Sequence, residues 1–250
     1  MAHTFTSMIE KASRQNNSRL VLALDIKNDK LVEKAKRLLD EVSSYICCVK
    51  LNKHLLLPLS LNEVLEIVDE AHEACLPVIA DCKMCDIGLT NEVEASMYFN
   101  ANFDAITVMP LPGWTDGLEG VFKLASERGK GVLVVTHMSH RGAIEFFDLI
   151  VYDQSVGVFD ALHRVFTRRA RMWGADGLII GATRPEVIAY TREVIGDKPI
   201  FAPGAITQGG NPIEALRAGA SYIIIGRAIC ESHDPARRAK EINDMIMQCV

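Results

Sequence analysis

The chain has 250 residues, 49% of them hydrophobic, and a formal net charge of −5, with a mean hydropathy of +0.13. That length holds either one large α/β barrel or two smaller domains, with ample apolar material for a core. The acidic balance excludes a surface built for nucleic acid or an anionic membrane, but not a small anionic ligand in a local basic pocket. Seven cysteines, among them the neighbours Cys47 and Cys48 and a lone C-x-x-C at Cys82 and Cys85, form no regular disulfide framework and read as reduced, mostly buried thiols. Residues 1–19 carry no apolar stretch of signal-peptide length, and no run reaches the length that spans a bilayer. The expectation is a soluble, cytoplasmic protein.

In chain order, Phe5, Met8 and Ile9 give an apolar side to a short helix in the leading segment, residues 1–19. A strand over residues 20–24 ends at Asp25. Residues 31–42 have helical spacing, with Leu31, Val32, Ala35, Leu38 and Leu39 on one face. A strand over 45–51 delivers Lys50 near its end. A helix over 64–75 stops before Pro77, and Pro77-Val78-Ile79-Ala80 is the third strand. It runs into Asp81-Cys82-Lys83-Met84-Cys85-Asp86-Ile87-Gly88. Residues two apart on a strand share a face, so Asp81 and Lys83 project side by side, whereas Asp86 has passed the strand end. The alternation continues with a helix over 92–100, a strand over 105–109, a helix over 117–128 and a strand over 131–136. Met138-Ser139-His140-Arg141-Gly142 then opens a long connection reaching past Asp153, of the kind that forms lids. A basic helix over 159–173 follows, then a strand over 177–180 and a helix over 185–195 with Pro185 in its first turn. A strand over 199–202, a helix over 212–218, a strand over 222–225 and a terminal helix from about residue 235 complete the chain.

Eight strands, each followed by a helix, with no linker or low-complexity tract between them, predict an α/β fold: a single-domain TIM (β/α)8 barrel over residues 1–250, with a doubly wound open sheet as the competitor. The active site of such a barrel lies at the carboxyl ends of the strands. There Asp25, Lys50, Asp81 and Lys83 converge, and desolvating four charges costs several kcal/mol or so per ion. That expense points to function. Two glycine-bearing loops, Pro203-Gly204-Ala205-Ile206-Thr207-Gln208-Gly209-Gly210 and Gly226-Arg227, follow strands seven and eight, where barrels commonly hold a phosphate. Arg227 adds a planar, bidentate charge. Neither His137 nor His140 has the partners of a Ser-His-Asp system, and His54, His72 and His163 read as solvated or packing residues. No H-E-x-x-H, EF-hand loop or cysteine tetrad is present.

These pieces resemble the orotidine 5′-monophosphate (OMP) decarboxylase family, particularly its short single-domain form from prokaryotes and archaea. The matching elements are Leu24-Asp25, Val49-Lys50, Asp81/Lys83/Asp86 with Ile87 and Thr90, Met138-Ser139-His140, Pro203 with Gln208-Gly209-Gly210, and Gly226-Arg227. Two positions depart: Gly88 and Arg141 stand where the family usually has proline. Magnesium-dependent sugar-phosphate enzymes of the same superfamily (3-keto-L-gulonate 6-phosphate decarboxylase and hexulose-6-phosphate synthase) share D-x-K-x-x-D. They resemble one another in a metal-holding glutamate after strand two, where this chain has Lys50.

The resemblance implies a carboxy-lyase that converts OMP to UMP in pyrimidine biosynthesis with no cofactor and no metal. It assigns to Lys83 the stabilisation and protonation of C6, and to Asp81 a place against the substrate carboxylate. Lys50 holds Asp81 and the ribose hydroxyls, and Asp25 binds a ribose hydroxyl. Asp86, Ile87 and Thr90 reach the neighbouring active site across a homodimer. Gln208, Gly226 and Arg227, with Pro203, Gly204 and Gly209 around them, hold the 5′-phosphate, and Ser139 meets the pyrimidine amide. The alternatives are a magnesium-dependent sugar-phosphate enzyme and a non-catalytic phosphate-binding barrel.

Overall fold

The computed structural model describes residues 4–27 and 29–249; residues 1–3 of the expected leading segment lie outside them. The strands are β1 (Leu20–Ala23), β2 (Cys48–Asn52), β3 (Val78–Met84), β4 (Ala105–Val108), β5 (Gly131–His137), β6 (Ile150–Asp153), β7 (Val158–Ala161), β8 (Gly177–Ile180), β9 (Ile200–Pro203) and β10 (Tyr222–Ile225). All but β6 and β7 close into one barrel, ordered β1-β2-β3-β4-β5-β8-β9-β10 and back to β1, with every pairing parallel. Their apolar runs are continuous rather than alternating because the core covers one face and helices cover the other.

The helices are α1 (Phe5–Gln15), α2 (Leu31–Val42), α3 (Lys53–Leu56), α4 (Leu61–Glu73), α5 (Gly88–Asn100), α6 (Glu119–Glu127), α7 (Ile144–Phe147), α8 (Leu162–Met172), α9 (Pro185–Ile195), α10 (Pro212–Arg217), α11 (Arg227–Cys230) and α12 (Pro235–Met247). Helix α1 closes the amino-terminal end of the barrel. Phe5 and Ile9 are fully buried, and the Phe5 ring lies 6.1 Å from that of Phe201 on β9. A Cβ on Gly131, the first residue of β5, would meet Phe5 at 2.8 Å. With that end plugged, ligands have the opposite mouth. No helix among the described residues is long and apolar enough to cross a membrane.

Several boundaries differ from the sequence expectation, each for a local reason. Residues 43–45 form a 3-10 turn, so β2 begins at Cys48. Helix α4 begins at Leu61 because Ser60 and Glu63 form a capping box. Helix α5 begins at Gly88, four residues earlier than its apolar spacing suggests. The helix expected from residue 159 begins at Leu162 instead, because residues 158–161 pair antiparallel with 150–153 as a hairpin. The turn between them uses Gly157 at φ +71°. Strand β3 begins at Val78 rather than Pro77 and carries Asp81 and Lys83 to its end at Met84, leaving Asp86 beyond it.

Candidate active site

Asp81, on the carboxyl half of β3, is 7% exposed, and each of its oxygens takes one ammonium. Lys50 Nζ lies 2.6 Å from Oδ2 and Lys83 Nζ 2.7 Å from Oδ1. Thr107 on β4 donates its hydroxyl to Oδ1 at 3.0 Å. Burial alone would raise the Asp81 carboxyl, but the two lysines outweigh it and hold it well below the usual carboxylate range. Asp81 is therefore an anion throughout the neutral range. Lys50 Nζ also donates to Asn52 Oδ1, and Asn52 Nδ2 donates to Asp25 Oδ1. A single polar row thus runs Lys83, Asp81, Lys50, Asn52, Asp25 across the ends of three adjacent strands.

The pleat is not what places Lys83. Its φ is +45°, and the β3–β4 register shifts between Ala80 and Met84. Its N–H donates to Thr107 Oγ1 at 2.8 Å, a side chain, where a regular ladder uses a main-chain carbonyl. A left-handed non-glycine residue costs about 1–3 kcal/mol, and such residues cluster at active sites.

The row forms one wall of a cavity of about 520 Å³, a size suited to a nucleotide-scale ligand. The other walls are Ser139 and His140 after β5, Pro203, Gly204 and Gln208 at and after β9, and Gly226 and Arg227 after β10. Two glycines sit at close approaches. A Cβ on Gly226 would overlap Asp25 Oδ2, and Gly204, at φ +85°, would bring one to 2.5 Å from Ser139 Cβ. Four cations, Lys50, Lys53, Lys83 and Arg227, face two carboxylates, Asp25 and Asp81. The mouth is positive in an acidic chain, which selects for an anionic ligand.

Four sequence-predicted residues are not on this wall. Gly209 belongs to the loop after β9 but does not line the cavity, and Asp86, Ile87 and Thr90 also lie outside it and are exposed. Asp86 Oδ1 accepts the Ile87 N–H at 2.7 Å. Sequence reasoning passed over Asn52 and Thr107. Asn52 lies two residues beyond Lys50, and Thr107 is the lone polar residue of an otherwise apolar strand, so both left a signal. Lys53 and His54 also line the cavity; they ride on α3, too short for any periodicity to reveal.

The remaining candidates are structural. His72 pairs with Asp104 at 2.8 Å. His137 Nδ1 lies 2.7 Å from the Met138 carbonyl and its Nε2 3.2 Å from Asp148. Burial pushes His163 down to about 4. Cys82 is buried and Cys85 exposed, and burial pushes the Cys82 thiol up to about 12. Among the described residues no three His, Cys, Asp or Glu side chains gather as a metal-ligand set.

The sequence model of the orotidine 5′-phosphate decarboxylase / HUMPS family matches residues 18–242. The orotidine 5′-phosphate decarboxylase of Methanococcoides burtonii is 38% identical over 231 residues, covering 92% of this chain and 98% of that protein. Among solved structures, Leishmania donovani OMP decarboxylase superposes with a TM-score of 0.84 at 25% identity, over 98% of each chain. The Methanocaldococcus jannaschii orotidine 5′-monophosphate decarboxylase, solved in complex with the inhibitor BMP, gives 0.78 at 29% identity, over 92% of this chain and 98% of that one.

Proposed function

The chain belongs to the orotidine 5′-phosphate decarboxylase / HUMPS family, and on that premise we propose that it removes the C6 carboxylate of OMP, giving UMP and CO₂ in pyrimidine biosynthesis. The observation that carries the reading is the bonded row Lys83–Asp81–Lys50. A magnesium-dependent sugar-phosphate enzyme needs a carboxylate where Lys50 stands, and an ammonium there repels a dication.

In this reaction the bond from C6 to the carboxylate carbon breaks, its electron pair stays on C6 and CO₂ leaves. The ring offers that pair little resonance relief, so a barrier reduction on the order of 20 kcal/mol falls to the protein. Lys83 is the group for it. Its ammonium is half-exposed toward the cavity and already oriented by Asp81, so it faces the developing charge without reorganising and then gives its proton to C6. Asp81, kept anionic by two cations, opposes the substrate carboxylate in the ground state and is relieved as CO₂ departs. Asp25, tied through Asn52 to Lys50, is placed for the ribose hydroxyls. Arg227, Gln208 and Gly226 are placed for the 5′-phosphate, with Pro203, Gly204 and Gly209 shaping the loop, and Ser139 for the pyrimidine amide. Phosphate binding is remote from the chemistry, so its energy can drive closure of the 138–161 connection.

Asp86, Ile87 and Thr90 serve the partner's cavity in a homodimer. The support is their exposure together with an apolar strip along α5 and at its start: Ile87 68%, Leu89 74%, Val93 48% and Met97 62% exposed. The experiment for the whole reading is the loss of OMP absorbance on adding the purified protein in the presence of EDTA. Turnover unaffected by the chelator is the expected result. An absolute magnesium requirement would hand the chain to the sugar-phosphate enzymes, and UMP binding without turnover would make it a binding barrel.

A further inference from the structure

We propose that Asn91 is a positioning residue for the cross-subunit half of the site, fixing where Asp86 points. The inference rests on the reading that Asp86 serves the partner's cavity. Asp86 lies two residues beyond the end of β3, without a ladder to hold it, and a carboxylate on a free loop samples many directions. Asn91, fully buried on α5, removes that freedom. Its Oδ1 accepts the Asp86 N–H at 3.0 Å and its Nδ2 donates to the Asp86 carbonyl at 2.5 Å. Nδ2 also donates to the Gly117 carbonyl at 3.0 Å. Both main-chain groups of Asp86 are thereby clamped, and the clamp is anchored to the segment that precedes α6.

The same anchor accounts for Gly88, a departure from the family's usual proline. Any Cβ at position 88 would meet the Asp116 carbonyl oxygen at 2.9 Å and its carbon at 3.0 Å, so only glycine lets the 113–118 segment come close enough for Asn91 to reach Gly117. Asparagine is a poor choice inside a helix on propensity alone. Here its two amide hydrogens and its oxygen match one N–H and two carbonyls that are otherwise left without these partners.

The test is complementation between inactive subunits. Asn91→Ala should lower kcat by about 100-fold, the cost of misplacing a reacting group by the order of 1 Å, with KM changed only a few-fold. N91D keeps the acceptor for the Asp86 N–H but loses both donors, and gives the same readout should the alanine variant not fold. Because Asn91 acts on its own chain's Asp86, it belongs with Asp86 and not with Lys83. Mixed under conditions of verified subunit exchange, N91A and K83A should recover activity toward roughly a quarter of wild type, since half the dimers are hybrids with one intact site of two. N91A and D86N should recover none. The opposite pattern would make Asn91 a support for its own chain's cavity and overturn the proposal. D86N mixed with K83A is the separate control: absence of recovery there would overturn the shared-site reading itself, and with it the role given to Asn91.

Discussion

Lys83 is held twice, its main chain by Thr107 and its ammonium by Asp81, so its removal should be felt in chemistry before stability. Lys83→Ala should lower kcat by roughly 10⁴ or more, while UMP affinity measured by calorimetry falls far less, because the lost interaction is strongest in the transition state. The variant also makes a pH prediction. The Asp81 carboxyl is depressed in the fold, so its stabilisation is present above the ordinary carboxylate range and is lost only as pH falls through the depressed value. With one of its two cations gone the carboxyl is depressed less, so less of that stabilisation is present, read as an acid unfolding midpoint shifted upward. Gly226→Ala probes the other wall. Its Cβ would overlap the Asp25 carboxylate, so kcat/KM should fall about 10- to 100-fold while the melting temperature stays close to wild type. Unchanged kinetics would remove Asp25 from the ribose site.

The connection from β5 to α8 carries Ser139 and His140 at one end and the β6–β7 hairpin at the other. The hairpin is tied to α8 by Asp153, a carboxylate with no exposed side-chain surface. It lies 2.9 Å from Arg168 and 3.1 Å from Arg169 and accepts from the Ser155 hydroxyl at 2.7 Å. A hydrogen bond to a charged group contributes about 1.5–3 kcal/mol, and here the loss falls on one element rather than on the barrel, because Arg168 and Arg169 are partly exposed and Arg168 keeps Asp160. Asp153→Ala should make the chain cleavable within residues 150–161 by a protease that leaves the wild type intact there, and should lower kcat/KM for OMP. The barrel should still melt within a few degrees of wild type. Equal protease resistance of the two proteins would mean that the strand pairing and the Tyr152–Phe159 contact, with ring centroids 5.2 Å apart, suffice to hold the hairpin.

At the scale of the molecule, one member of the proposed charge array, Asp86, lies outside its own chain's cavity, so activity should require assembly. Leu89 and Met97 on α5 are 74% and 62% exposed, and neither touches the barrel core or the cavity wall. Leu89→Glu and Met97→Lys should each shift the mass measured by light scattering from dimer to monomer and abolish turnover, with the circular dichroism of the barrel retained. A fully active monomer would show that one chain suffices.

The barrel was legible in the sequence because parallel strands buried on both faces leave continuous apolar runs, and helices between them leave a 3.6-residue spacing. Asp25, Lys50, Asp81 and Lys83 were legible too, as charged residues at the ends of those runs. Other features were decided by contacts between residues far apart in the chain. The left-handed turn at Lys83 depends on Thr107, 24 residues away, and the link between Lys50 and Asp25 depends on Asn52, which looks like any strand-end amide until the two strands pair. Residues 158–161 carry apolar spacing that suits a helix, yet their pairing with 150–153 makes them a strand. Local pattern records which faces are buried. Where two side chains meet is set by strand register and by the close approaches at Gly204 and Gly226, and those exist only once the barrel has closed.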